Sequence, residues 1–260
     1  MNYINVLNLS KAEKYGKNYT VLSSVDSTNN YVKKHADVLP DGHVVIANEQ
    51  LSGRGRQGKS FYSPGGEGLY MSFLIKNPEK ATDELFTAKI SIAVCRAIDK
   101  LTGTDNNSGV GIKWVNDIYF GKKKLCGILC ERFRNTSGDV CVVAGIGVNI
   151  KLTPGAVPKE LRTIVTSLSE ITKESYDKFV LASLICEEFE KIFTLSDKEA
   201  IEEYKVRSIV IGREIRIVRE EGDIRAAALA ICDDGALLVR TEEGYTQKLC
   251  GGEITIRLKK

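Results

Sequence analysis

The chain of 260 residues has no apolar run approaching the roughly 18 residues that cross a bilayer, and its opening MNYINVLNLSKAEKYG lacks the basic flank and apolar core of a secretory leader. A membrane-embedded or exported protein is therefore not expected, and a soluble cytoplasmic one is. Little charge of either sign is in excess: 37 Lys and Arg oppose 34 Asp and Glu, a net charge of +3. That is too small to make nucleic acid or an anionic membrane the default partner. There is no C-x-x-C pair. The seven cysteines are scattered and odd in number, so they read as buried reduced thiols rather than a disulfide framework or a zinc or redox pair. Cys126 and Cys130, four apart in a β-like run, share one strand face. Internal repeats and low-complexity tracts are also missing.

What is present is an ordinary globular balance, 43% hydrophobic and 27% charged, enough for an ordered core. Tyr19 to Val25 is a β-like run, followed by Asp26-Ser27-Thr28-Asn29, whose side chains can cap a helix running toward Ala36. His43 to Ala47 reads as a second strand. Gly53, Gly55 and Gly58 then interrupt regular structure until the run that starts at Leu69. Apolar residues from Leu85 to Leu101 follow helical spacing, which predicts a helix over Asp83 to Leu101 covering one sheet face. Three β-rich runs follow, Val110 to Phe120, Leu125 to Phe133 and Val140 to Ile150, joined by GKKK and NTSGD hairpin turns. A second amphipathic helix spans Tyr176 to Phe193, and the charged stretch SDKEAIEEYKVRS leads to a domain boundary near Val206. Beyond it, GREIRIV, AAALAI, GALLVRT and EITIRL alternate with polar turns and predict a small all-β barrel.

Two segments carry chemistry. In Gln50-Leu51-Ser52-Gly53-Arg54-Gly55-Arg56-Gln57-Gly58, two permanently charged guanidiniums sit among glycines that allow close backbone approach, so the loop can wrap a phosphate or carboxylate. Alone, it serves equally well as a solvated basic loop or an RGG-like nucleic-acid contact. In Lys113-Trp114-Val115-Asn116-Asp117 and the following Gly121-Lys122-Lys123-Lys124, both charge signs crowd one hairpin. Three successive lysines are usually a solvated tip. Lys124, however, directly precedes the apolar run LCGIL and is expected to point into a site. Asp117 suits a metal or an incoming amine, and equally a plain turn beside Asn116.

Taken together these pieces resemble the biotin protein ligases. The resemblance rests on D-S-T-N at Asp26 to Asn29, E-Q-x-x-G-R-G-R-x-G from Glu49 to Gly58, K-W-x-N-D at Lys113 to Asp117, K-L-x-G-I-L at Lys124 to Leu129, and G-I-G-V-N-I at Gly145 to Ile150. Their order and spacing are jointly specific and span nearly the whole chain. It implies an α+β catalytic domain over residues 1–205, with a mixed, largely antiparallel sheet and helices on one side, of the class II synthetase-like type. A C-terminal SH3-like β barrel over 206–260 completes the expectation.

The resemblance further implies a two-step reaction. Biotin and ATP, with Mg2+, give biotinoyl-5′-AMP and pyrophosphate; a lysine of a biotin carboxyl carrier domain of acetyl-CoA carboxylase or a related carboxylase then takes the biotinoyl group. Lys124, Arg56 and Asp117 are the implied catalytic groups. Ser27, Thr28, Asn29, Gln50, Gly53 and Arg54 line the biotin and adenylate site with Arg56, Lys124, Gly127, Ile128 and Gly147. Phe61, Trp114, Asn116 and Asn149 fall on the ATP side. No tightly bound metal is assigned, although Asp117 is placed to contact Mg2+. Missing side chains at Gly127 and Gly147 leave room for the ligand, or else simply allow close strand packing.

Two positions depart from the family pattern. Val115 replaces a frequent Pro, and Phe61 stands where many members have Trp, keeping a ring to stack on adenine but no indole donor. The first motif begins near residue 26, so the expected form lacks an N-terminal DNA-binding domain and DNA is not an expected partner. The residues leave oligomeric state open, homodimerisation through a sheet edge included. Two alternatives remain: a lipoate or octanoate protein ligase of the same superfamily, and a non-enzymatic nucleic-acid-binding module. Against the second, aromatics are not interleaved with the basic residues.

Overall fold

The computed structural model describes residues 11–76, 85–104 and 109–256. Seven strands make the larger sheet: β1 (Tyr19–Leu22), β2 (Val44–Ala47), β3 (Gly68–Lys76), β4 (Val110–Lys113), β5 (Asp117–Phe120), β6 (Lys123–Arg134) and β7 (Val140–Asn149). Their order is β1-β2-β3-β7-β6-β5-β4. Only β1 and β2 run parallel, because the connection between them is a crossover through helix α1 (Thr28–His35). All other pairings in this sheet are antiparallel.

The interior strand β3 is buried along GLYMSFLI on both faces, and the residues of β2 divide between two cores. Val44 and Ile46 join the main core with helices α2 (Phe86–Thr102) and α4 (Lys178–Ile192). Val45 turns the other way and packs with Val32 of α1 and Ala36 just past its end, with Leu74 and Val143. Helices therefore cover both faces, which corrects the expectation of helices on one side. The DSTN helix is the element that crosses over, and the alternation of β2 gives each face an apolar row. In the main core the Phe73 and Phe189 rings stack at 4.1 Å. Both are fully buried, so truncating either to Ala costs about 3–5 kcal/mol.

Several element boundaries differ from the sequence reading. The single run expected over Val110 to Phe120 is broken at Trp114-Val115-Asn116, leaving β4 and β5 as a hairpin with Lys113 opposite Asp117. Residue 83, expected to start the helix before Leu101, lies outside the described residues, and α2 ends at Gly103 in the left-handed conformation (φ +64°). Ser27 is the N-cap residue of α1 but makes no capping bond. Instead Gln50 Oε1 accepts from the Thr28 backbone N–H at 2.9 Å. A short helix α3 (Leu168–Thr172) had no expectation behind it. SDKEAIEEYKVRS forms α5 (Asp197–Arg207), started by a reciprocal capping box between Ser196 and Glu199.

After α5, strands β8 (Glu214–Val218), β9 (Ile224–Ile231), β10 (Leu237–Thr241), β11 (Thr246–Leu249) and β12 (Glu253–Ile256) form a five-stranded antiparallel sheet in the order β11-β10-β9-β8-β12. It fits an SH3-like barrel, with Ile215, Ile217, Ala228, Val239 and Ile254 turned inward. Strand β11 was not anticipated, and the end of the EITIRL run lies outside the described residues. The two sheets meet at specific contacts. Trp114 Nε1 donates to the Gly235 carbonyl at 3.0 Å, Ile209 N–H to the Ile112 carbonyl at 3.0 Å, and Lys59 pairs with Glu253 at 2.5 Å.

Candidate active site

Between these parts opens a cleft of about 630 Å3. It is built from the start of α1, the loop between β2 and β3, the β4–β5 turn, the paired β6 and β7 strands, and the first residues of β12. Its floor owes its shape to glycine. Gly127 and Gly147 face each other across β6 and β7, and the Phe61 ring lies over both: a Cβ on Gly147 would meet that ring at 2.5 Å and one on Gly127 at 3.1 Å. Gly145, one pleat along, lets Asn29 approach so closely that a Cβ would collide with its Oδ1.

One end of the cleft is a set of amides and hydroxyls. Gln50 Oε1 accepts from both Thr28 N–H (2.9 Å) and Thr28 Oγ1 (3.1 Å), and its Nε2 donates to Ser63 Oγ at 2.9 Å. Ser63 Oγ in turn donates to the Phe61 carbonyl at 2.9 Å. Ser27, Thr28 and Asn29 are all at most 3% exposed, so each bond is made away from water, where a missing partner is costly. Asn29 Nδ2 donates to the Leu129 carbonyl and to Glu131 at 2.8 Å. Burial pushes the Glu131 carboxyl up, but hydrogen bonds from Lys33 and Asn29, with the Lys33 and Arg54 charges, bring it below its ordinary value.

The other end is cationic. Lys124 Nζ lies 2.7 Å from Asp117 Oδ1 and 5.9 Å from the centre of the Phe61 ring. Its backbone is clamped to the segment ahead of α3, with Lys124 N–H donating to Ile164 O at 2.8 Å and Thr166 N–H to Lys124 O at 2.9 Å. Arg56 donates to Asn116 Oδ1 at 3.3 Å, and Asn116 Nδ2 donates to the Ile128 carbonyl. Arg54 points elsewhere, to Asn30 at 3.0 Å and Glu131 at 3.6 Å. The glycine loop is a small hairpin: Gly55 N–H donates to Lys59 O at 2.7 Å and Phe61 N–H to Gly53 O at 2.8 Å. Gln57 at its tip takes φ +53°. Gly53 sits where any Cβ would strike the Phe61 carbonyl.

The structure thus gathers every residue singled out from the sequence around one cleft: Ser27, Thr28, Asn29, Gln50, Gly53, Arg54, Arg56 and Phe61 on one wall, Trp114, Asn116, Asp117, Lys124, Gly127, Ile128, Gly147 and Asn149 on the other. Two of these lining residues are also tied into the surrounding fold. Trp114 is 3% exposed with its N–H on Gly235, and Asn149 Nδ2 donates to the Thr166 carbonyl at 3.0 Å. Sequence reasoning missed Ser63, Lys59, Glu253 and the wall from Leu152 to Val165. Lys59, directly after Gly58, and Ser63, two residues past Phe61, lie beside the glycine-loop motif; Glu253 and the Leu152 to Val165 wall had no such neighbour.

Comparison with known proteins places this geometry among relatives. Residues 21–149 match the Biotin/lipoate A/B protein ligase family, and residues 210–257 the Biotin protein ligase C terminal domain. The bifunctional ligase/repressor BirA of Bacillus subtilis is 32% identical over 244 residues, 92% of this chain and 73% of that protein. The biotin–[acetyl-CoA-carboxylase] ligase of Mycobacterium tuberculosis is 28% identical over 221 residues, 82% of this chain and 79% of its own. A solved biotin protein ligase from Aquifex aeolicus, in complex with biotin and ATP, has a TM-score of 0.76 and 30% identity, covering 94% of this chain and 100% of that one.

Proposed function

The chain belongs to the biotin protein ligase family, and from that premise we propose that it condenses biotin with ATP to biotinoyl-5′-AMP and pyrophosphate, then passes the biotinoyl group to a lysine of a biotin carboxyl carrier domain. The observation that carries this reading is the two-ended cleft: a hydrogen-bonding end over a glycine floor beside a cationic end, in a volume of about 630 Å3, suited to a small ligand. The first match is common to biotin and lipoate ligases, while the match of residues 210–257 to the Biotin protein ligase C terminal domain favours biotin.

In this account Gln50, Thr28 and Ser27 bind the polar ureido head of biotin, and Gly127, Ile128 and Gly147 flank its apolar body, with Asn29 and Gly53 fixing the surrounding walls. Phe61 stacks on adenine, and Asn116, Asn149 and Trp114 shape the nucleotide side. As a carboxylate oxygen of biotin attacks the α-phosphate, Arg56 and Lys124 offset the accumulating negative charge; Arg54 supports the loop through Glu131. Magnesium belongs to the nucleotide substrate. The donors would fit it: Glu253 would offer a carboxylate at the phosphate end with Asp117 as an alternative, and one such carboxylate suffices for Mg2+ alongside phosphate and water. In the second step the amine attacks the acyl carbon and AMP leaves, with Asp117 orienting the amine as it loses its proton.

Residues 1–205 would then carry catalysis and 206–260 the small barrel. The partner is the carrier domain of acetyl-CoA carboxylase or a related carboxylase, and the setting is the cytoplasm. Among the described residues no helix is long and apolar enough to cross a membrane. Incubating the protein with a carrier domain, MgATP and either biotin or lipoate tests the reading by intact mass. A single biotin adduct on the carrier is expected; a lipoyl adduct, or none from folded protein, contradicts it.

A further inference from the structure

Three lysines stand at the cationic end of the cleft, and two of them hold a carboxylate. Lys124 holds Asp117 at 2.7 Å and Lys59 holds Glu253 at 2.5 Å. Lys113, nine-tenths buried at 9% exposed, has no ion pair or hydrogen bond from its ammonium among the described residues, and its Nζ lies 5.3 Å from the centre of the Tyr119 ring. A desolvated ammonium facing only a ring and the side of neighbouring ion pairs is incompletely compensated. Burial pushes its pKa down, and the Lys124 and Lys59 charges push the same way while Asp117 and Glu253 oppose them.

Its place along the sheet says what would compensate it. Gly147 pairs with Gly127, Gly127 with Asp117, and Asp117 with Lys113, so the four residues form one line across β7, β6, β5 and β4. At about 4.8 Å per strand, Lys113 lies roughly 14 Å from Gly147 and about 10 Å from Gly127. The line runs from the glycine floor, through the Lys124–Asp117 pair, to Lys113. We propose that Lys113 Nζ receives the two outer phosphates of ATP and the pyrophosphate they become, an assignment that rests on the ligase reading above. In-line displacement puts the leaving group on the side of the α-phosphate opposite the attacking carboxylate. With biotin held at the Thr28–Gln50 end and its carboxylate at Lys124, that side is toward β4.

The step balances without a proton donor. A carboxylate oxygen of biotin bonds to the α-phosphorus, the bond from that phosphorus to the bridging oxygen of the β-phosphate breaks, and its electron pair stays on that oxygen. Lys113 remains an ammonium throughout and pairs with the added charge as a point cation. Pyrophosphate is absent from the second half-reaction, which separates this role from a structural one.

The experiment supplies purified biotinoyl-5′-AMP to wild type, Lys113→Gln and Lys113→Arg and follows two fates: pyrophosphorolysis to ATP and biotin, and transfer to a carrier domain. Lys113→Gln should raise the half-saturating concentrations of pyrophosphate and MgATP about tenfold or more, while transfer falls less than about threefold. Lys113→Arg should recover most of the pyrophosphate affinity, and a thermal shift with biotin in all three proteins reports that the fold is kept. Equal losses in the two fates, or unchanged pyrophosphate saturation in Lys113→Gln, overturns the assignment. A wild-type protein that makes no ATP from the adenylate overturns the ligase reading along with it.

Discussion

Lys124 and Asp117 form an ion pair at 2.7 Å inside the cleft, at 28% and 22% side-chain exposure. Asp117 sits at the start of β5 and Lys124 near the start of β6, so in the proposed reaction one hairpin would supply a cation for the first chemical step and a carboxylate for the second. Asp117→Asn should separate the two. Transfer from purified biotinoyl-5′-AMP to a carrier lysine should fall by about 10²–10⁴, and adenylate formation by much less. Single-turnover measurements of each step check this, and equal losses in both would remove Asp117 from its role toward the amine.

The glycines of the floor give a second expectation. Gly145→Ala drives a methyl group into Asn29 Oδ1, and Asn29 is tied to Leu129 and Glu131 in a buried network. Breaking it should cost about 1–3 kcal/mol of stability in urea unfolding. Gly147→Ala instead meets the Phe61 ring and should weaken biotin binding in calorimetry with a smaller effect on stability. Identical behaviour of the two variants would contradict this division.

Arg207 binds Asp99 at 2.9 Å and Glu203 at 2.9 Å with its side chain 4% exposed. Removing it takes a buried guanidinium away from two carboxylates at once, so Arg207→Ala should lose about 3–5 kcal/mol. The exposed Lys205–Glu202 pair on the same helix is the internal control: Glu202→Ala should change stability by less than about 1 kcal/mol. Comparable midpoints for the two variants would show that the α2–α5 contact is not held this way.

Stability should also fall on mild acidification. His43 is buried, its Nε2 lies 2.9 Å from Thr20 Oγ1, and its Nδ1 has no partner among the described residues. Burial pushes its pKa below 6.5. The unfolded chain therefore binds a proton at a pH where the folded one does not, and stability is lost as pH falls through about 6.5 toward the folded value. Urea midpoints at about pH 7.5, 6.5 and 5.5 read this. His43→Gln should flatten the slope, and an unchanged slope would assign it to other groups.

Much of the candidate site was legible in the chain because its polar residues lie in short motifs. Thr28 and Gln50 are 22 positions apart, yet each sits in a distinctive run. The barrel strands showed through the alternation of β8, where Ile215 and Ile217 face inward. Other features lacked such a signal. The β4–β5 turn was masked by the β-like residues around it, Trp114 and Val115 among them, although Asn116-Asp117 carried a turn signal. Helix α5 was obscured by its charge, although the Ser196 to Glu199 spacing announces its cap. The Lys59–Glu253 pair joins residues 194 apart, and nothing local to either names the other. Leu161 to Val165 reaches the cleft through backbone bonds to Lys124, which no side-chain pattern records.

In the proposed reaction this cleft adenylates biotin with Lys124 at the reacting phosphate. Biotin-dependent exchange of labelled pyrophosphate into ATP, in wild type and Lys124→Ala and with lipoate in parallel, tests it without a carrier protein. Exchange with biotin alone, reduced about 10²–10³-fold in the variant, is the predicted result. Exchange driven by lipoate, or full biotin-dependent exchange in Lys124→Ala, would contradict it.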